Sequence, residues 1–164
     1  NLFFVIVCHL DVVGVALAFE SAAYEAGKTV DMRVEDGIWC LGDAEKLKQV
    51  TAILLDNAIK YASSGGHITL SLAKSHGKCA LRVHNDGVCI PKEEQKHVFE
   101  RFYRADASRS RQSGGSGLGL AIAKAIVDEH KGKIAVESKT EQGTTFTVLL
   151  SACDPASKSE NKAT

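Results

Sequence analysis

The chain of 164 residues carries no surplus charge: twenty basic side chains balance twenty acidic ones. No net field therefore recruits nucleic acid or an acidic membrane surface, and any cationic site must be local. A CxxC pair is lacking, and no His stands at metal-ligand spacing from Cys8, Cys40, Cys79, Cys89 or Cys153. That argues against a zinc site or a disulfide framework and for reduced thiols in a cytosolic protein. A membrane span needs roughly 20 consecutive apolar residues, and residues 2–19 are broken by His9 and Asp11 before Glu20. The start of the chain has neither a basic n-region nor a cleavage motif, so no signal peptide is expected. Internal repeats are absent, as is a linker long enough to separate two domains. With 45% hydrophobic residues the chain can bury one core. We expect one domain over residues 1–152 and a polar tail over residues 153–164.

Glycine, by contrast, is concentrated. Gly114, Gly115, Gly117 and Gly119 follow a loop bearing Arg104, Arg109 and Arg111 and open an apolar helical pattern over residues 118–130. The first N–H groups of a helix lack intrahelical partners and lie at the positive end of its dipole, which favours an anion there. Glycine lets backbone approach that anion closely. The bland alternative is a linker followed by an ordinary amphipathic helix. Two familiar phosphate loops do not fit. Leu118 and Leu120 stand where a P-loop needs Lys and then Ser or Thr, and no strand precedes the glycines as a dinucleotide fingerprint requires.

Periodicity predicts the remaining elements. Residues 2–8 read as a strand or the cut end of a longer chain, residues 12–26 as a helix stopping at Gly27, and residues 29–34 as an edge strand. A short strand covers residues 38–41. Asp43 is a plausible N-cap for a helix whose apolar stripe is Leu47, Val50, Ile53 or Leu54, and Ala58, ending at residues 63–66. Alternation over residues 67–73 and 79–83 around Gly77 predicts a β-hairpin. A short helix is expected over residues 93–102, followed by the glycine loop and its helix. Two closing strands, 133–137 and 144–150, flank Gln142 and Gly143. Helices and hairpins without regular βαβ alternation imply an α+β fold, a two-layer sandwich of helices on one face of a mixed sheet.

Three clusters carry candidate chemistry. Asn57, Lys60 and Tyr61 lie at i, i+3 and i+4 on one side of a helix: a carboxamide oxygen for a hydrated hard cation, an ammonium for phosphate, and a ring to pack beside a ligand. Read alone, they describe a solvated helix end first, and their value comes from the other clusters. VHNDGVCIP, residues 83–91, ends a strand with Asn85, Asp86 and Gly87, and Val88, Cys89 and Ile90 supply an apolar wall. A polar side chain there can bond the edge of a purine, although the same residues also make a plain turn. Phe99, Phe102 and Tyr103 form an aromatic stripe, which at this spacing ordinarily belongs to a core.

In order, these pieces resemble bacterial sensor histidine kinases. LLDNAIKYA (residues 54–62) is similar to the N box and VHNDGVCIP to the G1 box. VFERFYRAD (residues 98–106) is similar to the F box, and GGSGLGLAIAKAIVDEHKGKIAVES (residues 114–138) to the G2 box with the elements after it. GTTFTVLL (residues 143–150) resembles the closing strand. The resemblance spans residues 17–150 and implies the GHKL ATPase fold of a catalytic and ATP-binding domain, with ATP and Mg²⁺ as ligands. Position by position, it implies that Asn57 holds Mg²⁺, Lys60 reaches phosphate and Tyr61 lines the pocket. Asn85 stands where an Asp usually reads the adenine amino group, Gly87 lets adenine approach, Ile90 belongs to the apolar wall and Thr144 supports the polar contact. Gly115, Gly117, Leu118, Gly119 and Leu120 would enclose the phosphates, with Arg104 nearby.

Departures accompany the resemblance. Ile53 replaces a second polar residue one turn before Asn57, Asn85 replaces the acid, and Cys89 replaces a second glycine. None of His9, His67, His76, His84, His97 and His130 has the neighbours of a phosphoacceptor box. The implied partners are therefore a dimerisation and phosphoacceptor domain of the same parent kinase and a cognate response regulator. The parent would be anchored in the plasma membrane with this domain in the cytoplasm, itself touching neither bilayer nor nucleic acid. The alternatives are a catalytically weak nucleotide-sensing module and another GHKL relative, such as a serine kinase or a chaperone-type ATPase. Chaperone-type members usually carry a Glu near the position of Ile53, which counts against them here.

Overall fold

The computed structural model of the chain describes residues 4–104 and 117–155. In chain order its elements are β1 (Phe4–Val7), α1 (Cys8–Glu25), β2 (Thr29–Val34), β3 (Trp39–Gly42), α2 (Ala44–Tyr61), β4 (His67–Ser75), β5 (Lys78–Asn85), α3 (Lys92–Gln95), α4 (Gly119–Glu129), β6 (Lys133–Lys139) and β7 (Gly143–Ser151). Five strands form one sheet in the order β2-β4-β5-β7-β6, and β1 pairs with β3 in a separate small one. β2 runs parallel to β4 while the other neighbours are antiparallel, giving the expected mixed sheet with β2 at an edge.

Alternation explains the core. Every second residue of a strand faces the same side, and the register lines these up as rows across the sheet: Val34, Leu72, Leu81, Val148 and Ile134, then Met32, Leu70, Val83, Phe146 and Val136. Helices cover that face. α2 buries Val50, Leu54, Leu55, Ala58 and Ile59, α4 buries Ala123, Ile126 and Val127, and α1 adds Val12 and Ala16. The fold is thus the α+β sandwich expected from the sequence.

Local chemistry sets the ends. Asp43 caps α2 by accepting from the Lys46 N–H at 3.2 Å, as its position predicts. His130, at the end of α4, bonds the Ile126 carbonyl through Nδ1 at 2.8 Å, and its Nε2 accepts from the Asp43 N–H at 3.0 Å. Only the Nδ1-protonated tautomer satisfies both contacts, so one ring ties the end of α4 to the start of α2. The hairpin β4–β5 turns through His76 and Gly77, both at positive φ (50° and 73°), matching the twist of a two-residue connection.

The structure departs from the sequence reading in three places. α1 starts at Cys8, directly after β1, rather than at residue 12. The helix expected over residues 93–102 is only the four residues of α3. Turns follow from residue 96 to Phe102, which has φ 63° and is 72% exposed, so it is not core. Phe99 and Tyr103 do pack inward, Phe99 edge-on to Phe146 with centroids 6.0 Å apart. Finally, cysteines distant in sequence converge. The Sγ atoms of Cys8 and Cys40 lie 2.6 Å apart, and none of the five cysteines is in a disulfide. Contact with Cys40 and burial push the Cys8 thiol well above its ordinary range. Among the described residues no helix is long and apolar enough to cross a membrane.

Leu54 is fully buried in α2. Leu54→Ala should cost about 2–5 kcal/mol, read as a lower urea midpoint with an unchanged slope.

Candidate functional site

The third row across the sheet changes character. It begins with Val30 and Ile68 but continues as Asn85, Thr144 and Ser138. These three polar residues face the core side and are only 3%, 4% and 7% exposed. Burying such groups is costly unless they are bonded. The Ser138 and Thr144 hydroxyls are 2.8 Å apart, and the Ile90 N–H donates to Ser138 Oγ at 2.9 Å. Gln95 Nε2 then clamps the carbonyls of Ile90 and Ser138, each at 2.9 Å. This holds the apolar segment after Gly87 against β6.

The end of α2 is pinned to the end of β5. The Asp86 carbonyl accepts from Asn85 Nδ2 at 2.9 Å and from the Ser63 N–H at 3.2 Å. The Asp86 carboxylate accepts from Ser63 Oγ at 3.0 Å and the His67 N–H at 3.1 Å. Ala62 and Gly87 form an antiparallel bridge. A Cβ on Gly87, whose φ is 148°, would lie 2.4 Å from the Tyr61 carbonyl oxygen. Glycine is therefore required here by the chain's own packing, before any ligand is considered.

This junction brings Tyr61 beside Asn85, with Asn57 one turn back on the same helix. Asn57 is half-buried, and its carboxamide has no hydrogen-bond partner among the described residues. Tyr61 is 44% exposed. Lys60 pairs with Asp56 at 2.8 Å, a surface pair worth about 0–1 kcal/mol and easily exchanged.

The opposite wall is the start of α4. Its N-cap, Leu118, makes no side-chain cap bond, so the first N–H groups of α4 receive no capping from it. A Cβ on Gly119 would stand 3.4 Å from Ile53 Cγ2, which places the helix start against the turn of α2 preceding Asn57. Gly117 has φ 75° and its carbonyl accepts from the Phe102 N–H at 2.9 Å. Leu120 packs against the core. Arg104 is half-buried and closes the first described segment. Gly115, with Gly114, Arg109 and Arg111, lies outside the described residues, as do residues 156–164 of the expected tail.

The structure thus gathers Asn57, Tyr61, Asn85, Gly87, Ile90 and Thr144 at one end of the sheet, with Gly119 reaching the same helix through Ile53. Sequence reasoning missed Ser138, Gln95, Ser63 and the carboxylate of Asp86. Ser138 was findable, since it continues the inward phase of Ile134 and Val136 in β6.

Comparison with known proteins adds an independent line. Residues 42–153 match the model described as histidine kinase-, DNA gyrase B-, and HSP90-like ATPase. The chain is 50% identical over 109 residues to the sensor histidine kinase YkoH of Bacillus subtilis (strain 168), an alignment covering 66% of this chain and 24% of YkoH. It thus spans about a quarter of that relative's length. Among solved structures it resembles the mycobacterial sensor histidine kinase MprB with a TM-score of 0.80 at 26% identity, covering 92% of this chain and 98% of that one. It also resembles the histidine kinase ThkA, solved in complex with the response regulator TrrA, with a TM-score of 0.77 at 25% identity, covering 92% and 42%.

Electrostatically, the junction holds a charge. Burial raises the Asp86 carboxyl, but bonds from the His67 N–H and from Ser63 outweigh it and leave the group below its usual 3.8. A lowered folded-state pKa stabilises the fold above the unfolded value, and that contribution is lost as pH falls through the lowered one. Asp86→Asn should therefore be less stable than the parent chain at neutral pH. The gap between their urea midpoints should narrow as pH drops below 3.8.

Proposed function

The chain belongs to the histidine kinase-, DNA gyrase B-, and HSP90-like ATPase family, and from that premise we propose that it binds Mg²⁺-ATP and presents the γ-phosphate to a histidine on a separate dimerisation and phosphoacceptor domain. The observation that carries this reading is the buried polar row Asn85, Thr144 and Ser138, set beside the end of α2 and the start of α4. Asn85 meets the purine edge, with Thr144 and Ser138 behind it, while Tyr61, Gly87 and Ile90 shape the walls. Gly115, Gly117, Leu118, Gly119 and Leu120 enclose the phosphates with backbone, and Arg104 and Lys60 offer positive charge.

The residues at hand fit a magnesium ion that keeps most of its own waters. Asn57 supplies one neutral oxygen without a competing partner among the described residues, and Ile53 supplies none. When bound, the ion offsets phosphate charge. The protein's own contribution is positioning and exclusion of water, because phosphoryl transfer needs little covalent help.

The rest of the proposal concerns the whole protein. The module occupies residues 1–152, followed by a tail over residues 153–164. It works in the cytoplasm within a parent anchored in the bacterial plasma membrane, and touches neither bilayer nor nucleic acid. A cognate response regulator receives the phosphoryl group, a partner supported by the ThkA–TrrA complex.

Titration calorimetry with ATP tests the reading. Mg²⁺ should tighten binding, and Asn57→Ala should remove about a tenfold or greater part of that gain. Affinity indifferent to Mg²⁺ would favour a catalytically weak nucleotide sensor, which the apolar Ile53 against Gly119 makes the specific rival. Labelled ATP should leave this chain largely unmodified, since none of its histidines has phosphoacceptor neighbours. Acid-labile phosphohistidine on it would contradict that.

A further inference from the structure

The end of the sheet away from the polar row holds three thiols that the nucleotide site does not use. Cys79 stands near the start of β5 and Asn85 at its end, about 20 Å apart at roughly 3.3 Å per residue. Cys8, Cys40 and Cys79 are all buried. The pairing of β1 with β3 brings the first two together: Ile6 lies opposite Cys40, and the Cys8 N–H donates to the Ile38 carbonyl at 3.0 Å. Their Sγ atoms, 2.6 Å apart, are within about 0.6 Å of the ~2.05 Å of a covalent S–S bond. The Cys79 thiol donates to the Trp39 carbonyl at 3.5 Å.

A buried cysteine ordinarily serves as a small apolar side chain, inert because nothing reaches it. Here there is a way in. Cys8 and Cys79 line an apolar cavity, partly open to solvent, between the helices and the sheet, with Leu81 and Leu150 among its walls. Asp11 and Lys48, paired at 3.6 Å and both partly exposed, are the charged residues of its lining. Cys40 is 0% exposed and does not line it. One thiol is thus reached from outside, and the second stands in contact with it, away from the opening.

We propose that Cys8 and Cys40 are a reversible oxidation site, joined as a disulfide when a hydroperoxide enters the cavity and reaches Cys8. In the first step the Cys8 thiolate attacks the near peroxide oxygen and the O–O bond breaks, leaving a sulfenic acid on Cys8 and, once the departing oxygen takes a proton, an alcohol or water. In the second the Cys40 sulfur attacks Cys8 Sγ and the S–O bond breaks, the hydroxide leaving as water with the Cys40 proton. Two thiols thus lose two electrons and two protons, and the hydroperoxide is the oxidant reduced. Contact with Cys40 and burial hold the Cys8 thiol above its ordinary range, so thiolate is scarce at neutral pH and the first step is the slow one. The second needs no approach. The bond closes a loop over residues 8–40, which carries α1 and β2, and ties the start of α1 to β3. Nothing in it depends on the nucleotide-binding reading.

The test is to expose the folded, reduced chain to hydrogen peroxide in native buffer, then block remaining thiols with iodoacetamide in urea and map the tryptic peptides without reduction. Cleavage after Lys and Arg puts each of the five cysteines in its own peptide, so a link names its two partners. Most chains should carry the peptides of Cys8 and Cys40 joined, and dithiothreitol should part them. The oxidised chain should also unfold at a higher urea midpoint than the reduced one, because the link restricts the unfolded chain. With Cys40→Ala, dimedone present during oxidation should label Cys8 as the sulfenic acid. Peroxide-treated wild type in which Cys8 and Cys40 are both still blocked by iodoacetamide overturns the proposal, whether or not the variant folds. A link from Cys8 to Cys79 or Cys153 in place of Cys40 overturns it as well.

Discussion

Two walls of the candidate site, the end of α2 and the end of β5, are joined through one residue's backbone and carboxylate, Asp86. Its carbonyl holds the Asn85 amide and the Ser63 N–H, and its side chain holds Ser63 and the start of β4 at His67. Each such bond contributes about 0.5–1.5 kcal/mol net, but their joint geometric effect matters more. α2 and β5 are far apart in sequence and belong to different layers. The junction fixes the helix end against the strand end closely enough that Gly87 has no room for a side chain under the Tyr61 carbonyl. Asn57 and Tyr61 thereby acquire a defined distance from Asn85 that neither element imposes alone.

A second tie works at the other end of α2. His130 spans the Ile126 carbonyl and the Asp43 N–H. A Cβ on Gly42 would come within 2.8 Å of the His130 ring and of Leu47, so strand, helix cap and ring are packed without slack. α4 is thus anchored by its C-terminal end and by Ala123, Ile126 and Val127 in the core. Its start, to which Leu118 gives no side-chain cap, is the end presented to the site. A helix held from its far end can leave its first N–H groups for an anion, because stability does not depend on capping them.

Much of this was legible in the sequence, for reasons that separate cleanly. The α2 stripe, its Asp43 cap and the β4–β5 hairpin follow from local periodicity and turn chemistry, and all three appear close to where the sequence puts them. The expected F-box helix stops at Gln95, and the turns that follow lead to Phe102, whose left-handed φ no spacing rule anticipates in a phenylalanine. That strain comes with its N–H bonded to the Gly117 carbonyl, a contact between segments that no local pattern encodes. The convergence of Cys8 and Cys40 is of the same kind. It depends on β1 pairing with β3, which sequence shows only as two short apolar runs.

Residues of the site were legible to different depths. Asn57, Asn85 and Gly87 stand out because polar or glycine positions interrupt apolar patterns, and such interruptions cost stability unless something compensates. Ser138 is the same signal in a weaker form, one small hydroxyl in the inward phase of a short strand. Its meaning depends on register. Only when β6 is aligned with β7, and β7 with β5, do Ser138, Thr144 and Asn85 become a single buried row rather than three separate polar residues. A shift of one residue in either pairing would send Thr144 or Ser138 to the open face and put apolar or charged neighbours in its place. The hydrophobic rows beneath, Val83 with Phe146 and Val136, and Leu81 with Val148 and Ile134, hold that register. The core therefore does more than stabilise the sheet: its apolar alternation sets which polar groups meet at the sheet's end.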